Sequence, residues 1–282
     1  MSQPPSPSQQ RLLSILRGFR SGAGLTTYQL AERLGWSQSR VTRIENGVIH
    51  ATADDADAWA EATGADPGAR EDLAALAYSA WNEVTTWRVS HRGGMAARQR
   101  EMSRLEHRAT EIRQFQPEAI PGLLQSDGYA RRVLAFADVT RKGGIDAAAK
   151  ARIKRQAVLR EPGHAFDFVL TEGALRWRPG PRELMGEQLG HLLAAAALPS
   201  VSLSIIPFDR EAVTAYQHAF TIYRVPDAPT VLVEFFHGET FPSLPAEIDL
   251  YERVFAILKD SALRGDEALD FARSVARSVI LG

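Results

Sequence analysis

Residues 26–47 read TTYQLAERLGWSQSRVTRIENG. Thr26 is a helix N-cap residue type, and Leu30, Ala31 and Leu34 follow at three- and four-residue spacing, so one helix buries one stripe. Gly35 supplies the left-handed residue at which that helix stops. Trp36 reads as a core plug and Ser37 as a second N-cap. The next helix turns Val41 and Ile44 inward and Gln38, Ser39, Arg40 and Arg43 outward. That is a helix-turn-helix whose outward row of amide and guanidinium donors suits base edges in the major groove. Two amphipathic helices joined at a glycine also occur in proteins that never meet DNA, so the flanking chain has to be weighed with them.

Working outward, residues 1–8 carry three Pro and three Ser and read as a disordered N-terminus. A helix over 9–21 buries Leu12, Leu13, Leu16 and Phe19, leaves Arg17 and Arg20 available to phosphate, and ends at Gly22 and Gly24. Asn46-Gly47 makes a turn whose backbone N–H groups can hold a phosphate. Helices over 56–63, with Trp59, and 69–82, with Leu73, Leu76, Ala77 and Ala80 on one face, complete an all-α domain of five helices over 9–86. From Arg11 to Arg43 there are six Arg against Glu32 alone, and from Asp54 to Asp72 seven acids against Arg70 alone. This is the pattern of an arginine-rich face towards DNA backed by an acidic face turned away, or of two solvated helix faces.

The pattern lapses at WRVSHRGGM, residues 87–95, which reads as a linker. A long helix over 96–115 follows, with Met102, Leu105, Ala109 and Ile112 as its stripe and its Arg residues interleaved with Glu. Pro117, Pro121 and Gly122 force an extended turn before a helix that begins near Tyr129. A helix over 147–160 is basic on one side through Arg152, Lys154 and Arg155, a solvated face or a phosphate contact. At Ala165 the period becomes two: strands over 165–170 and 201–207 flank a helix opened by Pro181, a crossover unit. Residues 219–225 and 230–236 form a hairpin, and helices over 246–262 and 267–281 close the chain. Residues 96–282 therefore form a mixed α+β domain with a small sheet and flanking helices, a regulatory or partner-binding half.

Composition narrows the class. At 282 residues, 45% apolar and 24% charged, the chain has room for two domains, and its net charge of −1 argues against a general nucleic-acid coat. It has no cysteine, which excludes disulfides and thiolate metal sites. The N-terminus lacks the regions of a signal peptide and no apolar run is long enough to span a membrane, so a cytoplasmic, non-membrane protein is expected. The seven His show no metal-ligand spacing, and neither a phosphate loop nor a nucleophile elbow occurs. The chain is accordingly not expected to be an enzyme or to need a cofactor or metal. Glu172 and Glu234 fall at strand positions where an acid is unusual, within reach of Arg155, and read as ion-paired or exposed. Arg176, Trp177 and Arg178 form a candidate contact edge. Phe166, Phe168, Phe220, Tyr223, Phe235, Phe236 and Phe255 read as core, with a ligand pocket as the alternative.

Ala31, Leu34, Gly35, Val41 and Ile44, with the closing Ile44-Glu45-Asn46-Gly47, resemble the Xre-type helix-turn-helix repressors over about residues 9–66. That family commonly has Gln where this chain has the shorter Thr27. The second half is similar to the C-terminal domain of antitoxin-like regulators of high-GC filamentous bacteria. The likeness rests on Pro121-Gly122-Leu123-Leu124-Gln125, Tyr129-Ala130-Arg131, Arg155-Gln156, Glu172-Gly173-Ala174-Leu175-Arg176, Met185, Gln188-Leu189, Ile206-Pro207 and Val233-Glu234. It implies reception of a small partner protein.

The residues then divide by role. Gln38, Ser39 and Arg43 are expected at base edges; Arg17, Thr27, Arg40, Thr42 and Asn46 at phosphates. One such unit reads few base pairs, so the expected partner is double-stranded DNA bound by a homodimer on a near-palindromic site. The competing classes are an antitoxin-like factor that acts mainly by holding a small protein, and a ligand-gated sensor.

Overall fold

The computed structural model describes residues 7–49, 51–81, 85–86, 93–139, 141, 143–215, 218–226, 229–235, 238–242 and 245–281. The chain divides into two compact units, Met1–Val84 and Thr85–Gly282.

The first unit is the five-helix bundle expected: α1 (Pro7–Gly22), α2 (Thr27–Leu34), α3 (Gln38–Glu45), α4 (Ala53–Ala62) and α5 (Pro67–Trp81). Pro7 and Ser8 belong to α1 and not to a disordered tail, because a proline in the first turn forfeits no intrahelical hydrogen bond; residues 1–6 lie outside the described residues. Local chemistry sets the helix ends. Thr26 accepts from the Gln29 backbone N–H while the Gln29 side chain accepts from that of Thr26, and Gly35 closes α2 at φ 65°. Ser37 caps α3 and Thr52 pairs with Asp55 in a second reciprocal box at α4. Asp66 takes the Ala69 N–H at 3.0 Å just ahead of Pro67. Leu12, Leu16, Leu30, Val41, Ile44 and Trp59 meet in the core, each buried aliphatic side chain contributing about 1.5–3 kcal/mol. Trp36 sits at the rim, partly exposed, its ring edge-on to Trp59 at 6.4 Å.

In the second unit the expected long helix is cut short. Helix α6 (Met95–Arg108) ends where strand Glu111–Gln116 begins. Ile112 and Phe115 are both fully buried but against different clusters, one on each sheet face. A central strand covered on both sides shows no alternation, and its apolar residues at three-residue spacing imitate a helix. Among the described residues the mixed sheet has eight strands in the order 85–86, 238–240, 230–235, 220–224, 111–116, 165–171, 201–206, 263–264. Strands 111–116, 165–171 and 201–206 run parallel, with Ile112 opposite Phe166 and Phe168 opposite Leu203; the outer ones are antiparallel. The crossover helix (Arg182–Ala196) and the hairpin stand where the sequence put them. Thr85 and Thr86, assigned by sequence to the first domain, pair with Glu239 and Gly238 and so belong to the second. Of the expected linker, residues 87–92 lie outside the described residues, and Met95 already opens α6.

One sheet face carries Ile112, Phe166, Phe168, Leu170 and Tyr223 under the helices Arg182–Ala196 and Gly265–Leu281; the other carries Phe115, Val169, Phe220 and Ile222 under Pro245–Asp260. The aromatic set that might have lined one pocket is thus split between two cores, with Phe236 outside the described residues. Among the described residues no helix is long and apolar enough to cross a membrane.

Candidate nucleic-acid interface

Helix α3 is seated by its apolar side and shows the other to solvent. Val41 and Ile44 are wholly buried, whereas Gln38, Ser39, Arg43 and Asn46 are exposed. Ser39, Arg43 and Asn46 recur at four and three residues, one ridge of the helix. Arg43 has no partner among the described residues, so its five donors stay available. Gln38 Nε2 donates to Thr27 Oγ1 at 3.3 Å, bringing the start of α2 against the start of α3. Thr42 and Thr27 are half-buried at the edge of this surface.

Other expected contacts are differently placed. Arg17 is exposed, yet its guanidinium donates to the Glu45 carbonyl. Arg20 forks onto the buried Glu45 carboxylate at 2.7 and 3.2 Å and reaches the Leu25 carbonyl at 2.8 Å. Arg33 caps the Ala62 carbonyl at 3.0 Å, and Arg40 binds Asp55 at 2.8 Å. The arginine-rich stretch is therefore largely consumed inside the unit, and Asp55, of the acidic stretch, faces Arg40 and is not turned away. The backbone at Asn46-Gly47 is also spent: the N–H groups of Asn46, Gly47 and Val48 bond back to Thr42, Ile44 and Arg43 at 3.1, 2.8 and 2.8 Å. They close the helix C-terminus, so what this turn offers a polar partner is the exposed Asn46 side chain.

The second unit gathers charge inward. The strongly basic helix α8 (Ile145–Arg155; α7 is Asp127–Ala137) presents Arg152 and Arg155 to the protein interior and not to solvent or phosphate. Arg152 donates to Gln99 at 3.1 Å and Gln125 at 2.8 Å. Arg155 pairs with Glu106 at 2.9 Å, neither with Glu172 nor Glu234. Gln156 holds the Gly122 and Gln125 carbonyls at 3.2 and 2.7 Å, and a Cβ at Gly122 would run into the Arg155 guanidinium. Burial drives Arg152 down to about 9, with the Arg155 charge adding to it. Burial likewise raises the Glu106 carboxyl against the pull of Arg155. Beside this cluster Arg98 pairs with the buried Glu239, whose carboxyl burial lifts to about 7 in spite of that cation. Glu172 bonds Arg176 at 2.5 Å and the Phe208 N–H at 2.9 Å. Among the described residues no group of three or more His, Asp or Glu side chains is arranged to hold a metal ion.

Two family models match the chain. Residues 11–73 match a helix-turn-helix domain, and residues 99–274, well over half of the chain, match the domain of unknown function DUF5753. The chain belongs to the DUF5753 family. No curated protein and no solved structure matches it. The helix-turn-helix match spans the surface just described, and the DUF5753 match spans the inward-charged cluster.

Residue-by-residue reading of the first unit missed Tyr28, 66% exposed in the first turn of α2. A bulky aromatic outside the Leu30–Ala31–Leu34 stripe was the available signal. Glu45 and Asp55 were missed as anchors because their partners lie 25 and 15 residues away in sequence.

Proposed function

We propose that this DUF5753-family chain is a sequence-specific, DNA-binding transcriptional regulator of the Xre type, acting by binding and not by catalysis. Helix α3 enters the major groove with Gln38, Ser39 and Arg43 at base edges. Thr27, Thr42, Asn46 and the free donors of Arg17 set register on the phosphates. The observation that carries this reading is the exposed Arg43, without a partner among the described residues, beside Ser39 and Gln38 on a helix capped at both ends and buried along its other side. A homodimer supplies two such helices to half-sites about 34 Å apart, one turn of the duplex. The protein acts inside the cell, where its DNA is.

Selection of duplexes from a random-sequence pool by the full-length protein, followed by footprinting, tests this. Enrichment of a paired site with one-turn spacing is expected. Equal binding to every duplex, with no enrichment, removes the reading.

A second role, reception of a small partner protein by the DUF5753 unit as in antitoxin-like factors, draws on one surface. Phe136, Val139 and Trp177 are 53%, 77% and 39% exposed. Arg132 lies over Phe136 at 5.7 Å, and the exposed Arg178 and Arg182 lack partners among the described residues. Exposed aromatics in mutual contact, Phe136 and Trp177 at 6.2 Å, with arginines on the same segments, suit an acidic protein surface. Co-purification of a small acidic protein that is lost with Trp177→Asp supports the role; unchanged co-purification argues against this edge.

A further inference from the structure

We infer that Arg40 is a positioning residue for the recognition helix and not a phosphate contact: Trp36 and Asp55 clamp its guanidinium and so fix how α3 presents Gln38, Ser39 and Arg43. The inference rests on the DNA-binding reading above and specifies how that surface is held.

Three observations carry it. The Arg40 guanidinium carbon stands 4.2 Å from the Trp36 ring centroid, a stacked cation–π arrangement. Its Nη2 lies 2.8 Å from Asp55 Oδ1, a charge-assisted bond. Asp55 cannot follow a moving arginine, because its Oδ2 accepts the Thr52 N–H at 3.1 Å and its own N–H donates to Thr52 Oγ1 at 3.0 Å. Trp36 is equally fixed: it packs edge-on against Trp59, and Trp59 Nε1 donates to the Leu16 carbonyl at 3.0 Å. A continuous path of contacts therefore runs from α1 through Trp59, Trp36 and Arg40 to the first turn of α4.

Charge decides between the two uses of Arg40. Paired with Asp55, it forms a neutral unit that neutralises no phosphate and releases no counterion. A phosphate close enough to bind Arg40 would also meet the Asp55 carboxylate, and the two anions repel. Planarity adds a second criterion. The clamp needs a flat group that lies over the Trp36 ring while one of its nitrogens donates to Asp55, which the point charge of lysine cannot reproduce, whereas a phosphate contact accepts either cation.

The test uses full-length protein, a duplex recovered by the wild type from the random pool, and an unrelated duplex of equal length, with dissociation constants measured across a salt series. Arg40→Ala, Arg40→Lys and Asp55→Asn are each expected to weaken the selected duplex about tenfold, within the range of one lost base contact. The unrelated duplex should change little, the salt slope should stay at the wild-type value, and the double variant should be no worse than either single one. Thermal melting checks that each variant is folded at the assay temperature; Arg40→Met, which keeps bulk against Trp36, replaces an alanine variant that is not. The inference is overturned if Arg40→Ala lowers the salt slope by about 0.9 and Arg40→Lys restores it, the signature of a phosphate contact. It is also overturned if Asp55→Asn tightens both duplexes, or if no variant changes binding. A wild type that enriches no duplex overturns the DNA-binding reading and this inference with it.

Discussion

Helices α3 and α8 are both rich in cations, and they use them in opposite directions. On α3, Arg43 stands in solvent without a partner among the described residues, and Arg40 is held sideways between an indole and a carboxylate. On α8, Arg152 and Arg155 point into the DUF5753 unit and meet Gln99, Gln125 and Glu106. The difference lies less in the helices than in what is within reach of them. Where a carboxylate or amide is already fixed opposite, the guanidinium is absorbed into structure; where none is, it remains a contact group. A count of arginines along a helix therefore says little about nucleic acid until the opposing groups are known.

The sharpest way to break this contrast is to treat Arg155 as a surface residue. Arg155→Ala should destabilise the full-length protein by about 3–5 kcal/mol in denaturant unfolding, because Glu106 is left buried and unpaired. Replacing the pair together, Arg155→Met with Glu106→Leu, should restore most of that loss. A loss under about 0.5 kcal/mol for the single variant would place Arg155 with the solvated cations.

Glu239 sharpens the same point through pH. Folding raises its carboxyl from the ordinary 4.5 to about 7, so within that window the folded state binds more protons than the unfolded one. Stability should fall as pH rises through the window, by up to about 3 kcal/mol. Urea unfolding of wild type and Glu239→Gln at several pH values isolates the effect: the variant should lose this slope, and parallel curves would refute it.

On the other helix, Arg43→Ala should weaken the selected duplex by about 1–3 kcal/mol and relax one position of the site, with the melting temperature almost unmoved. A large drop in melting temperature would make Arg43 structural after all. The smallest expected effect is that of Ser37→Ala, which removes the α3 cap and should lower stability by about 1 kcal/mol, read by thermal unfolding.

Much of this was legible in the residues. Thr26, Gly35 and Ser37 announce helix ends because capping is local chemistry, and each performs the role its type implies. The crossover between strands 165–171 and 201–206 was equally plain, since Phe166, Phe168 and Leu170 recur at every second residue, although only Ala165 and Asp167 of the first strand are left even partly exposed. Residues 109–115 misled for a physical reason: a strand buried on both faces loses its period, and Ala109 and Ile112 continue the spacing of the helix before them. The edge pairs 85–86 and 263–264 are too short to carry any pattern. The fates of Arg17, Arg20 and Arg40 were hidden because Glu45 and Asp55 approach only once the bundle has closed.

The strand 111–116 takes its two neighbours from residues 165–170 and 220–224. Such distant pairing delays closure of the sheet until most of the chain has emerged from the ribosome, while the five helices before it pack on one another within residues 7–81. The first unit can thus be complete while the DUF5753 unit is still an open chain, so every round of synthesis passes through an interval in which the helix-turn-helix stands folded on its own.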